Sequence, residues 1–296
     1  MEASVQKSPL SQVKEWTEMI KLEHTVFALP FALSGLILAS PTIPAPLTFF
    51  WTVLAFAGAR AAAMTLNRII DSKIDKLNPR TAERAIPAGR IKATTATAAA
   101  IAAFGVMLFA ASQLPKICLL LSPIAVVWLS IYSFTKRFTW LCHIVLGIAL
   151  GGAALGGWVA ANGALSEPAP WFLALAVSTW VAGFDIIYAL QDVDFDRSQK
   201  LHSIPARFGV GKGLAISSLL HVVTVGALVA VGYFLGLGWC YWLGVLLVAG
   251  MLVYEHSLIS PKDLSKINAA FFNVNGVVSI LTFVIFLADK LIRQRV

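Results

Sequence analysis

The stretch TTATAAAIAAFGVMLFAASQL, Thr94 to Leu114, holds no charged residue, and beyond Pro115 and Lys116 the run ICLLLSPIAVVWLSIYSFT continues uncharged from Ile117 to Thr135. At about 1.5 Å of rise per residue, roughly 20 such residues cross the ~30 Å hydrocarbon of a bilayer as a helix. Outward from this pair, further apolar runs at 25–40, 47–70, 139–161, 171–191, 214–235, 239–257 and 270–290 bring the expectation, with 94–114 and 117–135, to nine spans. The predicted fold is therefore all-α and polytopic, one membrane domain over 1–296, with 1–24 as a cytoplasmic or interfacial segment. Val13, Trp16, Ile20 and Phe27 fall at helical spacing and predict an amphipathic lead-in at the interface. Only 13% of the 296 residues are charged and 58% are hydrophobic, against about 25% charged in an ordinary soluble domain. A conventional soluble enzyme is excluded.

The formal charge of +8 does not point to nucleic acid, because no basic helix is interleaved with aromatics for stacking. Topology accounts for it. With the N-terminus inside, the basic residues of 7–21, 73–92, 136–137, 197–212 and 262–266 share one face. Only Lys116, Lys290, Arg293 and Arg295 fall on the other. By the positive-inside rule that face is cytoplasmic, and the function is to be sought there. Cys118, Cys142 and Cys240 are scattered, odd in number and without C-x-x-C spacing, so they read as small core residues. The first 24 residues lack the apolar core of a cleaved signal, so the first span is expected to stay.

Two segments on that face echo each other. The first reads Asn67-Arg-Ile-Ile-Asp71-Ser-Lys-Ile-Asp75, then Arg80-Thr-Ala-Glu-Arg84-Ala-Ile-Pro87-Ala-Gly89. The second reads Tyr188-Ala-Leu-Gln-Asp192-Val-Asp-Phe-Asp196, then Lys200-Leu-His-Ser203-Ile-Pro205-Ala-Arg207-Phe-Gly209. Each is a polar residue and two aspartates at four-residue spacing, then cations, then Ile-Pro-Ala, which suggests an internal duplication. Where the helix continues, four-residue steps keep Asn67, Asp71 and Asp75 on one face, and likewise Tyr188, Asp192 and Asp196. Four such carboxylates about 8 Å apart repel by about 2 kcal/mol per pair at an effective dielectric near 20, or roughly 12 kcal/mol in all. Helix C-termini add to the cost. The arrangement calls for cations, and hard carboxylate oxygens with Asn67, unaccompanied by His or Cys, suit Mg²⁺. Mg²⁺ prefers to share phosphate oxygens, and Arg80, Arg84, Lys136, Arg137 and Lys200 stand ready as anion clamps, so a diphosphate is the expected ligand. Glu83, Asp194, Arg90 and Lys212 read as ordinary solvated loop charges.

Arg60 lies inside span two, seven residues before Asn67 and eleven before Asp71, on the same helical face and roughly 16 Å along the axis from Asp71. A charge at that depth needs a partner, either a ligand or a structural mate such as Asp185. Asp185, seven residues before Asp192, sits on the second ladder's face. His24, beside Glu23, His143, His221 and His256 read as lone interfacial or packing residues, and the run Gly147, Gly151, Gly152, Gly156 and Gly157 as a close-packing stripe.

The chain resembles the UbiA superfamily of intramembrane aromatic prenyltransferases, whose signatures are N-x-x-x-D-x-x-x-D and Y-x-x-x-D-x-x-x-D. The match extends to the R-T-x-x-R-x-I-P-x-G continuation, to Tyr132-x-x-x-Lys136-Arg137 and to the spacing of nine spans. The resemblance implies nine helices around a central cavity, capped on the cytoplasmic side by the aspartate segments holding two Mg²⁺ on an isoprenyl diphosphate. Asn67, Asp71, Asp75, Asp192 and Asp196 then match metal and diphosphate ligands. Arg84, Tyr132 and Lys136 match diphosphate contacts, with Tyr188, Arg80, Arg137 and Lys200 as further substrate contacts. Arg60 matches the position for the acceptor's carboxylate. Asp185 would hydrogen-bond the acceptor's phenol or take up its ring proton. Arg68 departs from the many relatives that have an acidic residue after the Asn, which leaves the acceptor open.

The activity so implied is Mg²⁺-dependent transfer of a polyprenyl group to an aromatic acid, 4-hydroxybenzoate for ubiquinone or a hydroxynaphthoate for menaquinone, in a bacterial inner membrane. Two rivals fit less well: a transporter with repeated halves, which would carry charges at mid-depth rather than at one face, and a phospholipid phosphotransferase, whose aspartate pattern differs. A soluble prenyl-chain synthase is excluded by the spans. Oligomeric state and tail length are not legible.

Overall fold

The computed structural model describes residues 9–21 and 25–294. His24 and Glu23 lie outside the described residues. A short helix α1 (Pro9–Met19) precedes α2 (Thr25–Ala39), α3 (Pro46–Asp75), α4 (Ala93–Ser112) and α5 (Lys116–Ile131), which passes into a 3₁₀ turn at Tyr132–Arg137. Then come α6 (Cys142–Asn162), α7 (Pro168–Ala189), a 3₁₀ turn at Leu190–Asp192, and the short helices α8 (Val193–Ser198) and α9 (Ile204–Phe208). The last elements are α10 (Val210–Leu235), α11 (Trp239–Ser257), a π-helical turn at Ala269–Val274 and α12 (Asn275–Arg293). Among the described residues eight helices are long and apolar enough to cross a membrane, and Leu29–Ala39 is a shorter apolar one. The first of the nine expected spans is thus the short member.

Local chemistry sets the ends of these helices. Proline opens α3 and α7, where its missing N–H costs nothing. Gly163 and Gly236 end α6 and α10 in the left-handed conformation, with φ of 71° and 56°. Neighbouring helices pack in a ring that runs α2, α3, α5, α6, α7, α10, α11, α12 and back to α2, with α4 backing α3 and α2 also crossing inward onto α6. Large apolar side chains such as Ile101, Leu120, Ile124, Val222, Leu246 and Val253 point outward and are mostly exposed. A continuous apolar exterior of this kind belongs in lipid rather than water. Inside, association depends on close approach. A Cβ on Gly157 would lie 1.8 Å from the Ala32 carbonyl oxygen of α2, and one on Gly147 would lie 2.1 Å from that of Ser178 on α7. Gly152 and Gly156 face open space, so only part of the predicted stripe packs.

At the end remote from the aspartates, α12 ties the ring shut. Buried Asp289 accepts from the backbone N–H of Gly238 at 3.0 Å and of Tyr241 at 3.1 Å, satisfying the first turn of α11. Lys290 donates to the carbonyls of Ile37 and Ser40 at the end of α2. Asp289→Ala strands one buried and one partly buried donor, so it is expected to cost about 1–3 kcal/mol, read as a lower thermal midpoint in detergent. Asp289→Asn, which keeps one acceptor, should lose less.

Candidate functional site

The first acidic ladder forms as the spacing predicts, because α3 runs unbroken to Asp75. Asn67 Nδ2 donates to Asp71 at 3.1 Å and to Ser133 Oγ at 3.4 Å. Asp71, 2% exposed, takes Lys136 Nζ at 2.6 Å on one oxygen and Arg137 Nη2 at 3.1 Å on the other. Asp75 is also buried, and Arg84 Nη1 donates to both its oxygens at 2.7 and 2.8 Å.

The second ladder is not one helix. Tyr188 is on α7, Asp192 ends the 3₁₀ turn and Asp196 is on α8, so the expected single face is broken. The break sends the two aspartates to different partners. Asp192 receives Asn78 Nδ2 at 3.1 Å and both Nε (3.1 Å) and Nη2 of Arg80, while Asp196 accepts from Ser203 Oγ at 2.9 Å. Arg80 also donates to the Tyr188 hydroxyl at 2.9 Å. Burial works against the charge on Arg80, but the hydrogen bond and charge of Asp192 outweigh it and hold its pKa above the ordinary arginine value. Arg80 and Asn78 follow α3 and Asp192 follows α7, so the two acidic segments are bonded directly to each other.

Between them opens a cavity of about 890 Å³. Asn67, Asp71, Asp75, Asp192 and Asp196 line it with Arg80, Arg84, Tyr132, Lys136 and Tyr188, and Arg60 and Asp185 line it too. Two predicted helpers stand elsewhere. Arg137 is not on the cavity wall and reaches the site through Asp71 and the carbonyls of Ile70 and Ser133. Lys200 is exposed on a left-handed turn, φ 55°, and is not on the cavity wall. Glu83, Arg90, Asp194 and Lys212, read as solvated charges, are all exposed, and Glu83 and Arg90 also line the cavity.

The lower wall is apolar and aromatic, with Phe31, Leu146, Leu150, Trp180, Phe184, Phe271 and Phe272. Phe271 and Phe272 come from the π turn. Asn275 steadies it, donating to the carbonyls of Ala270 and Phe271 at 3.1 Å each and to fully buried Glu255 at 2.6 Å. Phe271 then stacks on Tyr188 with ring centroids 4.1 Å apart. No periodicity announces a π turn, so this wall is not legible in the sequence. Nor is the role of His143, whose Nδ1 lies 2.7 Å from Asp185 Oδ2. His221 and His256 are not lone either: they lie 3.0 Å apart, next to Glu255. From the other side α1 reaches the cavity through Glu15, Glu18 and Met19. It is held there by Trp16 to Thr65 at 3.1 Å and by Arg68 to the Met19 carbonyl at 3.4 Å. Arg60 donates to the Lys21 carbonyl at 3.3 Å.

Among the described residues no three His, Cys, Asp or Glu side chains converge as a closed metal cage. The repulsion expected between the aspartates is relieved instead by Lys136, Arg137, Arg84 and Arg80. The donor set nevertheless fits Mg²⁺, which keeps most of its waters and needs one or two carboxylates plus phosphate oxygens. Asn67, Asp71 and Asp75 on one side and Asp192 and Asp196 on the other are the residues that would hold it. Arg84→Ala leaves buried Asp75 without its counter-charge and should lower stability by about 1–3 kcal/mol. Millimolar Mg²⁺ is expected to raise the thermal midpoint of that variant more than that of the unaltered protein, by linkage to the carboxylate that has lost its guanidinium.

The model of the UbiA prenyltransferase family matches residues 28–277. A 4-hydroxybenzoate octaprenyltransferase of Sodalis glossinidius is 32% identical over 275 residues, covering 91% of this chain and 93% of that one. The apo structure of a UbiA homologue from Aeropyrum pernix K1 superposes with a TM-score of 0.81 at 35% identity, covering 93% and 98%. A UbiA homologue from Archaeoglobus fulgidus bound to DMAPP and Mg²⁺ shares the fold, with a TM-score of 0.76 at 20% identity over 94% and 99%.

Proposed function

The chain belongs to the UbiA prenyltransferase family, and from that premise we propose that it transfers a polyprenyl group from an isoprenyl diphosphate to the ring of 4-hydroxybenzoate, in ubiquinone biosynthesis. The observation that carries the reading is the juxtaposition of two cross-bonded acidic segments and their cations with an aromatic-walled cavity below. A diphosphate fits among groups of both signs at the mouth, and a hydrocarbon tail fits the apolar walls beneath. The names of relatives such as the Sodalis protein support the acceptor.

At the mouth, Arg80, Arg84 and Lys136 bind the diphosphate oxygens and take up the negative charge that develops as the allylic C–O bond stretches. Mg²⁺ on Asp71, Asp75, Asp192 and Asp196, with Asn67, would add neutralisation of the leaving group. Tyr188, stacked by Phe271 and bonded to Arg80, fixes the guanidinium. Arg60 sits two helical turns deeper than Asn67, and Asp185 two turns deeper than Asp192, roughly 10 Å in each case. The acceptor's carboxylate pairs with Arg60, and its phenol and ring face Asp185. The ring carbon ortho to the hydroxyl attacks the allylic carbon, the aromatic walls exclude water, and diphosphate departs. The basic face bias supports a setting in the bacterial cytoplasmic membrane with this mouth and the N-terminus inside, the whole of 1–296 acting as one domain.

Membranes carrying the protein, given radiolabelled isoprenyl diphosphate with 4-hydroxybenzoate or a hydroxynaphthoate, should yield labelled prenyl-hydroxybenzoate. A product from the naphthoate alone would move the assignment to menaquinone. Asp71→Ala is expected to cut kcat by roughly 10²-fold or more. Wild-type turnover by that variant at saturating Mg²⁺ contradicts the reading.

A further inference from the structure

We infer that His143 is a positioning residue for the proton-transfer half of the reaction, holding Asp185 as the base that takes the proton from the prenylated ring. The inference rests on the aromatic prenylation proposed above. Four observations carry it. His143 and Asp185 both line the cavity, His143 from the first turn of α6 and Asp185 from α7. Their side chains meet at 2.7 Å, a short bond of charge-assisted type. His143 is 3% exposed, whereas the Asp185 side chain keeps 24% exposure, so the carboxylate faces the open space and the imidazole stands behind it. His143 Nε2 is buried without a hydrogen-bond partner.

The short bond and the buried ring together suit a proton held between His143 Nδ1 and Asp185 Oδ2. A buried N–H without an acceptor costs more than a buried lone pair facing apolar atoms. On this inference His143 Nδ1 donates to Asp185 Oδ2. Placed so, the histidine orients Asp185 Oδ2 and leaves Oδ1 turned toward the acceptor. Depth agrees with the task. Asp185 lies about two turns below Asp192, where the acceptor ring meets the allylic carbon, and clear of the cations that neutralise the aspartates at the mouth.

The step balances on these groups. The ring carbon's π pair forms the new C–C bond as the C–O pair leaves with diphosphate. The resulting arenium loses the hydrogen on that carbon, its C–H pair restores the aromatic ring, and the proton bonds to Asp185. It passes to water when the product departs. His143 keeps its own proton throughout.

The test uses the full-length protein in membranes and 4-hydroxybenzoate deuterated ortho to the hydroxyl. In the unaltered protein, ionisation of the C–O bond is expected to limit the rate, so deuterium should have little effect. His143→Leu should lower kcat roughly 10²-fold, leave KM for isoprenyl diphosphate in place, and reveal a primary isotope effect because re-aromatisation now limits. Asp185→Asn should do the same more severely. His143→Asn, whose Nδ2 reproduces the lost donor, should recover much of kcat and suppress the isotope effect. Full turnover by His143→Leu overturns the inference, and so does a loss with no isotope effect that His143→Asn fails to rescue; either outcome leaves prenyl transfer itself intact. An unaltered protein that prenylates no aromatic acid overturns the activity and this inference together.

Discussion

Carboxylates at a membrane face must be neutralised, and the solution here is a guanidinium shared between two distant parts of the sequence. Arg80 leaves the segment after α3 and closes on Asp192 and Tyr188 after α7, with Asn78 beside it. The bond joins the two halves of the mouth across 112 residues of sequence. A pair of this type contributes little net stability when partly solvated. Its value is geometric, since the cost of leaving either partner alone holds both segments at the rim of one cavity. On the reading proposed above, an arriving diphosphate with its divalent ions exchanges partners with this network. Arginine and lysine would turn from carboxylate to phosphate oxygen while the freed carboxylates would hold the divalent ion, so that no buried charge is left uncompensated.

What is legible in the sequence follows from where the backbone is regular. Asn67, Asp71 and Asp75 stand as spaced because α3 is an unbroken helix, and the cations near them are recognisable as their partners. The second set matches by letter but not by face, because the helix tightens to 3₁₀ at Leu190–Asp192. That tightening is common at functional termini, and it turns Asp192 toward Arg80 and lets Asp196 find Ser203. Lys200 belongs with the clamps by its neighbourhood in sequence, yet the left-handed turn carries it away from the cavity.

Other parts of the site are illegible for a different reason. His143 and Asp185 are 42 residues apart, and nothing in either neighbourhood announces the other; a single histidine in an apolar run looks like packing. Phe271, Phe272 and Asn275 fall in a span whose hydropathy is uniform, and the π turn that directs them leaves no periodic mark. The span count shows the same limit. Length and apolarity identify eight helices among the described residues, whereas α2 is short by that measure and belongs to the bundle through its glycine contacts with α6.

Those contacts link packing to chemistry. Helix α6 touches α2 through Gly157 and α7 through Gly147 and Gly151, at distances that leave no room for a Cβ. His143 lies one turn before Gly147 on the face that meets α7. The imidazole reaches Asp185 at 2.7 Å because the two backbones can approach this closely, and they can do so because Gly147 lets the Ser178 carbonyl come against its own α-carbon. A larger residue at 147 would push α6 outward and open the histidine–aspartate bond, although it would touch neither side chain. The stripe that reads in sequence as plain helix packing is thus the support for a polar pair two helical turns below the diphosphate end. On the inference drawn above, the depth of that pair, more than the number of acidic residues at the mouth, decides which part of a bound acceptor meets a base.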